Sequence, residues 1–209
     1  MKISFDLWNT IFKNNPEYKK YLFSKVYPKY NIANKTSNEI STRFKLIEEL
    51  IDFSNETSGN NIPSTSVMAM QLMFLSDEDK YFTANNLKYY SKDLTDSFLK
   101  YPPFLYDEHT YTVLNNLKND GHELYIISNT VLIQGQILKK VLKLHNIEHL
   151  FNECIFSDEV GISKPNSNIF LNVDYHVGDN PFADRTRNFY QINTNSRNIL
   201  DFYQFLNKN

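Results

Sequence analysis

Hydrophobic and polar positions change period twice along this chain. Ile3-Ser4-Phe5-Asp6 is a short apolar run ending on an acid, followed by Leu7-Trp8-Asn9-Thr10. That pattern predicts a buried strand over residues 3 to 6 that delivers Asp6 at its end. Beyond the turn signal Asn14-Asn15-Pro16 the period becomes helical: Tyr18, Leu22 and Val26 predict a helix ending before Pro28. Thr36-Ser37-Asn38-Glu39 has the form of a capping box, and Ile40, Phe44, Ile47 and Ile51 follow at helix spacing. Ser58 to Pro63 breaks that helix, Ser66 to Leu75 is a short Met-rich apolar segment, and Leu87, Tyr90, Leu94 and Phe98 mark a longer helix. Residues from about 14 to 100 therefore read as an all-helical unit.

Tyr101-Pro102-Pro103 predicts a hinge, because two prolines stop a helix and stiffen the connection. Helix and strand then alternate. Val113, Leu114 and Leu117 line a helix that stops at Gly121, and His122 to Ile127 reads as a strand ending at Ser128-Asn129-Thr130. A helix with Ile137, Leu138, Val141, Leu142 and Leu144 follows, then a strand near Glu153 to Phe156, a helix opened by Pro165 and a strand at Asp174 to Val177. A strand near Phe189 to Ile192 and a helix carrying Ile199, Leu200, Phe202 and Phe205 close the chain.

The fold class is therefore α/β, a doubly wound, mainly parallel sheet covered on both faces, with an inserted helical domain. The sheet needs the first strand to be complete, so residues 1–13 and 102–209 form a discontinuous core domain and residues 14–101 an insertion. In such sheets the ligand site lies outside the carboxyl ends of the strands. Asp6, Ser128 and Asp179 all fall there.

Composition narrows the classes. A formal charge of -2 over 209 residues gives no basic footprint for nucleic acid. No run approaches the roughly 20 apolar residues of a membrane span, and Asp6 and Asn9 interrupt the N-terminus, so neither a membrane segment nor a signal peptide is expected. One cysteine, Cys154, fits a reducing compartment and a small apolar role, and a cytoplasmic location follows. The five histidines lack metal-ligand spacing, and His176 among them reads as structural or solvent-facing. In residues 14 to 100 no arginine fork or anion-binding cluster names a substrate, and oligomeric state is not readable.

Four pieces of sequence carry candidate chemistry. Asp6 opens Asp-Leu-Trp-Asn-Thr, Ser128 ends Tyr-Ile-Ile-Ser, Lys164 lies in Gly-Ile-Ser-Lys-Pro, and Gly178-Asp179-Asn180-Pro181-Phe182-Ala183-Asp184 follows an apolar strand. Their order resembles the four signature motifs of the haloacid dehalogenase superfamily, with a helical cap inserted after the first motif. The resemblance covers nearly the whole chain. It implies a hydrolase in which Asp6 attacks phosphorus to give an aspartyl-phosphate and Lys164 neutralises developing charge. Ser128, Asn129 and the N–H groups after Ser128 would bind phosphate at a helix N-terminus, and Thr10 would orient the loop after the first strand. The implied cofactor is Mg²⁺, held by Asp6, Asp179 and the backbone carbonyl of Trp8 with Asp184 behind them, and the implied partner is a small phosphorylated substrate.

One departure alters the expected activity. Phosphatases of the family usually carry a second aspartate two residues after the nucleophile, which protonates the leaving group; here that residue is Trp8. An indole cannot shuttle protons near neutral pH. Dehalogenases of the superfamily carry a bulky aromatic at this position and need no metal, yet Asp179 and Asp184 beside the nucleophile call for a cation. The lead reading is a Mg²⁺-dependent phosphohydrolase in which a cap group or the substrate replaces the missing acid. The alternatives are a metal-independent 2-haloacid dehalogenase and a phosphate-binding protein on a degenerate scaffold. The stretch from Asn166 to Val177 is also shorter than is usual in the family, which trims the core and leaves the chemistry untouched.

Overall fold

The computed structural model describes residues 1–77, 81–170, 172–193 and 197–208. β1 (Lys2–Phe5) is the middle of a five-stranded parallel sheet. It runs beside β4 (Glu123–Ser128) on one side and β6 (Tyr175–Gly178) on the other, with Phe5 opposite both Ile126 and Val177. β5 (Glu153–Phe156) and β7 (Phe189–Gln191) complete the order β5-β4-β1-β6-β7. Ile3, Phe5, Leu124, Ile126 and Val177 are wholly buried, as expected of strands covered on both faces. Helices α6 (Thr110–Asn119), α7 (Gly135–Leu144) and α9 (Ile199–Leu206) contribute Leu114, Leu138 and Phe202 to the same buried cluster.

The segment from residue 16 to residue 100 is helical and has its own buried cluster, which includes Tyr27, Phe44, Leu72, Tyr90 and Leu94. α1 (Pro16–Tyr21) does not stop before Pro28. It passes through a wide π turn at Leu22–Val26 into α2 (Tyr27–Tyr30), where Pro28 falls in the first turn and its missing N–H costs nothing. α3 (Ser37–Ser58) opens on the expected capping box. Thr36 Oγ1 accepts the Glu39 N–H at 3.3 Å and Glu39 Oε2 accepts the Thr36 N–H at 2.8 Å. It ends on Gly59 at φ 70°, the left-handed conformation glycine adopts without strain. α4 (Ser64–Ser76) and α5 (Ala84–Lys100) complete this layer.

Two further differences from the sequence reading bear on the site. β2 (Phe12–Lys13) and β3 (Phe104–Leu105) pair antiparallel, so the two chain crossings between core and helical segment are tied by a short ribbon that their sequences do not advertise. Pro165 opens no helix. It follows a cis peptide bond after Lys164, and only a 3-10 turn at Ser167–Phe170 comes after it. α8 (Ser157–Val160), a single turn after β5, was not expected from the pattern.

Candidate active site

Asp6 leaves the end of β1 with its N–H bonded to the Val177 carbonyl at 2.8 Å, which fixes its position over the sheet edge. The next residues turn sharply. Leu7 O accepts the N–H groups of Ile11 and Phe12, and Asn9 adopts φ 53°, a left-handed conformation asparagine tolerates. Asn9 thereby aims its Nδ2 at Asp179 Oδ2, 3.2 Å away, and joins the first motif to the fourth.

A buried ionic chain underlies the cleft. Lys164 Nζ donates to Asp6 Oδ1 at 2.6 Å and also to Asp184 Oδ1, and the lysine side chain is only 2% exposed. Burial pulls the Lys164 ammonium down, but Asp184 and Asp6 outweigh it and hold the group charged. Burial likewise works against the Asp184 carboxylate, yet Lys164 and His176 keep it well below the usual range. Asp6 has less support. Burial, with Asp184 and Asp179 close by, pushes its carboxyl up to about 7 despite Lys164.

His176 extends the chain beneath the sheet. Burial lowers its imidazole to about 4, so it is neutral near neutral pH. Nε2 then donates to Asp184 Oδ1 at 3.1 Å while Nδ1 accepts from Ser4 Oγ at 2.7 Å. It is therefore wholly buried and not solvent-facing. The signal available in the sequence was its place inside the apolar run Tyr175-His176-Val177, on a strand of a sheet covered on both faces, where either face is interior.

The loop after β6 is shaped to return Asp184 to Lys164. Asn180 Oδ1 accepts the N–H groups of Phe182 and Ala183, and Asn180 N–H donates to Asp184 Oδ2 at 3.0 Å. Gly178 is required by packing, because a Cβ there would lie 2.1 Å from Asp184 Oδ2.

Asp6, Asp179 and Asp184 each offer one oxygen within 4.8 Å of the others. Lys164 takes Asp6 Oδ1, and among the described residues nothing donates to Oδ2 or to the Trp8 carbonyl. An all-oxygen donor set with excess negative charge, in which burial and acidic neighbours raise the Asp6 carboxyl, suits a hard divalent cation such as Mg²⁺.

The remaining expected residues take different places. Asn129 lines the cleft, but its side chain is engaged with the Lys164 backbone, Oδ1 accepting N–H at 2.7 Å and Nδ2 donating to the carbonyl at 3.0 Å. Ser128 is wholly buried with Oγ turned to the Asn129 carbonyl at 3.3 Å. Thr10 is buried beneath the first loop, its hydroxyl without a partner among the described residues. The helix expected directly after Ser128 begins only at Gly135, and its first N–H is taken by the Asp158 carboxylate at 3.1 and 3.2 Å. Thr130 N–H goes to Ser157 Oγ at 2.8 Å. The helix N-terminus is thus capped from within the protein.

Above these groups lies a cleft of about 690 Å³ between the sheet edge and the helical segment. Trp8 lines it and meets Phe98 of α5 edge-on, ring centroids 6.1 Å apart. The opposite wall carries acids absent from the sequence reading: Glu48, Asp52 and Glu56 of α3 all line the cleft. Glu56 Oε1 accepts from Asn180 Nδ2 at 3.1 Å, linking that wall to the loop beside Asp179. The four-residue spacing of Phe44, Glu48, Asp52 and Glu56 was visible in the sequence. The face it presents was not.

Comparison with known proteins agrees with this geometry. The family model for haloacid dehalogenase-like hydrolases matches residues 3–178. A curated relative, the glyceraldehyde 3-phosphate phosphatase of Methanothermobacter thermautotrophicus, is 39% identical over 72 residues, which span 34% of this chain and only 30% of that protein. Among solved structures, the magnesium-bound HAD-hydrolase YfnB from Bacillus subtilis superposes with a TM-score of 0.70 at 18% identity, covering 99% of this chain and 98% of that one. A HAD phosphatase from Thermococcus onnurineus gives 0.66 at 21%, and a 2-haloacid dehalogenase from Pseudomonas syringae pv. Tomato DC3000 gives 0.65 at 16%, each with the same coverage. With the family model spanning the first motif to Gly178, and its signature residues gathered at one sheet edge, the chain belongs to the haloacid dehalogenase-like hydrolases.

Proposed function

We propose that this hydrolase is a Mg²⁺-dependent phosphohydrolase acting on a small phosphorylated molecule through an aspartyl-phosphate on Asp6. The observation that supports it most is the acidic trio of Asp6, Asp179 and Asp184 around a single buried lysine. Metal-free displacement at carbon would need only the nucleophile and a cation, and further carboxylates beside it would oppose its ionisation. The phosphatase name of the relative matched over 30% of its length is consistent with this class.

In this reading Asp6, Asp179 and the Trp8 carbonyl hold Mg²⁺ with Asp184 behind them, and the ion supplies charge neutralisation for the phosphoryl oxygens. Asp6 attacks phosphorus, the bond to the ester oxygen breaks, and that oxygen leaves with a proton. Water then attacks the same phosphorus, releasing phosphate and restoring the Asp6 carboxylate. Lys164 holds Asp6 in place and opposes the burial that favours its protonated form, while Asp184, held in turn by His176, holds Lys164. Position 8 offers no proton donor. Glu56, raised by burial and tied to Asn180, is the cap carboxyl that touches the core and takes that part. Residues 14–101 act as the cap over the core formed by 1–13 and 102–209, with the β2–β3 ribbon at the hinge.

The experiment is hydrolysis of a panel of phosphomonoesters and acyl phosphates with and without Mg²⁺. Metal-dependent phosphate release that disappears in Asp6→Asn is expected; activity unchanged by EDTA or by Asp6→Asn overturns the reading. Trp8 in the cleft favours a second reading, halide displacement from a 2-haloacid, which requires halide release without metal.

A further inference from the structure

Much of the cleft above Asp6 is walled by rings. Phe98 meets Trp8 and Tyr18 edge-on, with centroids 6.1 and 5.2 Å away, and Tyr27 meets Phe23 and Phe44 in the same way at 5.0 and 5.1 Å. All six line the cleft. Phe98, Tyr27 and Phe44 are buried, while Trp8, Tyr18 and Phe23 keep part of their surface open. The Tyr18 hydroxyl is itself buried, so that residue gives the cleft ring surface and no donor.

The wide turn at Leu22–Val26 serves this wall. Tyr18 and Leu22 are four residues apart, as are Phe23 and Tyr27, and with the π turn between them both pairs line the cleft. The core contributes from the other side. Val131, Leu132 and Ile133 are successive apolar residues in the irregular loop between β4 and α7; all three line the cleft and remain partly exposed. Val131 and Leu132 pack against the buried cluster of the helical segment, and Ile133 against that of the sheet. Three open aliphatic side chains in a row, on a loop in the cleft of Asp6, mark a surface built to be covered.

The polar side chains of the cleft leave little for a hydroxylated substrate. Asn15 is engaged by the Glu17 N–H and the Pro102 carbonyl, Asn129 by the Lys164 backbone, and Asn180 by Glu56 and the N–H groups of its own loop. Asn14 and Ser41 make no hydrogen bond among the described residues, too few groups to recognise a polyol. Lys19, Lys45, Glu48 and Asp52 also line the cleft, but they are of both signs and select no single charge. The surface left to meet a group attached to phosphorus is ring and hydrocarbon.

We propose that this surface is a subsite for an apolar ring, with Trp8, Phe23, Leu132 and Ile133 as its contacts. The substrate class is then an aryl or arylmethyl phosphomonoester and not a sugar or polyol phosphate. That class rests on the phosphohydrolase reading; the ring subsite does not.

Naphthylmethylphosphonate, methylphosphonate and dihydroxybutylphosphonate share an anionic end that cannot be hydrolysed and differ only in what it carries. Each is titrated by calorimetry into the Mg²⁺-supplemented protein. The naphthyl ligand is expected to bind about tenfold tighter than methylphosphonate or better, and the dihydroxybutyl ligand to gain less than about twofold. Leu132→Asn and Phe23→Gln should each cut the naphthyl preference by about threefold or more, and Leu132→Met should keep it. Methylphosphonate, which carries no ring, reports in every variant whether the anion end is intact. A naphthyl preference absent from the wild type, an equal or greater gain for the dihydroxybutyl ligand, or a preference unchanged in both polar variants overturns the subsite. Naphthyl phosphate hydrolysis is measured in parallel. No turnover with the preference retained sinks the phosphohydrolase reading and keeps the subsite, whereas turnover without the preference does the reverse.

Discussion

Lys164 Nζ stands 2.6 Å from Asp6 Oδ1, and with Asp184 it forms an ionic group whose lysine and second aspartate have lost contact with solvent. Two carboxylates depend on one ammonium. Removing one member of a buried pair leaves an uncompensated charge, a loss of about 3–5 kcal/mol. Lys164→Met should therefore lower the melting temperature of the metal-free protein by roughly 6–20 °C, given roughly 2–4 °C per kcal/mol for a chain of this size. Added Mg²⁺ should recover part of that loss, because a ligand that binds only the folded state stabilises it. Thermal melts with and without Mg²⁺ check both, and a variant as stable as the wild type would show that the lysine is not what holds the site.

Trp8 occupies the position where an acid would serve phosphoryl transfer, and its ring packs on Phe98. Trp8→Asp should raise turnover of alkyl phosphates at least tenfold and of aryl phosphates much less, since general acid help is worth ~10²–10⁴-fold and matters most for poor leaving groups. Trp8→Phe keeps an aromatic ring without adding an acid and should give no rise. A fall in Trp8→Asp with an unchanged Trp8→Phe would assign the ring a role against substrate or cap.

Glu56 is the cap carboxyl joined to the core loop. If it delivers the proton to the leaving oxygen, Glu56→Gln should cut kcat for alkyl phosphates by roughly 10²-fold while aryl phosphates lose little. Equal losses for both classes would mean that the contact with Asn180 only closes the cleft.

Glu48 makes a pH-dependent contribution whose sign is fixed by burial. Its carboxyl rises from an ordinary 4.5 to about 7 in the folded chain, so the folded state holds the proton between those values and the unfolded state does not. Stability from this group is highest below pH 4.5 and declines as pH rises through 7. Glu48→Gln should then be stabilising at pH 8, on the order of 1 kcal/mol after allowance for solvent screening, and close to neutral at pH 4. Melting curves at the two pH values test it. A variant less stable than the wild type at pH 8 would contradict the sign.

The parts of this protein legible in the sequence are those governed by local rules. The apolar runs Tyr175 to Val177 and Ile3 to Phe5 announced strands, and the Thr36–Glu39 box announced the start of α3 with its actual partners. The motif residues Asp6, Lys164, Asp179 and Asp184 could be read as a set because each follows or flanks an element with a clear pattern. What escaped depends on contacts between distant segments. The β2–β3 ribbon is two residues wide and has no period of its own. Pro28 continues a helix because a π turn before it resets the hydrogen bonds. Asn129 is drawn to the Lys164 backbone and Asp158 fills the N-terminus of α7, neither of which a linear spacing reveals. The acids of α3 carried no signal of their own in the sequence, and only docking against the sheet edge makes them a wall of the cleft.

In the proposed reaction Asp6 is a nucleophile towards phosphorus in a site completed by Mg²⁺. Fluorine NMR of the protein with beryllium fluoride, a phosphoryl mimic, tests this without knowing the substrate. A Mg²⁺-dependent fluoroberyllate adduct on the Asp6 carboxylate is expected, abolished by EDTA and by Asp6→Asn. No adduct in the presence of Mg²⁺, together with metal-independent halide release from a 2-haloacid, would contradict it.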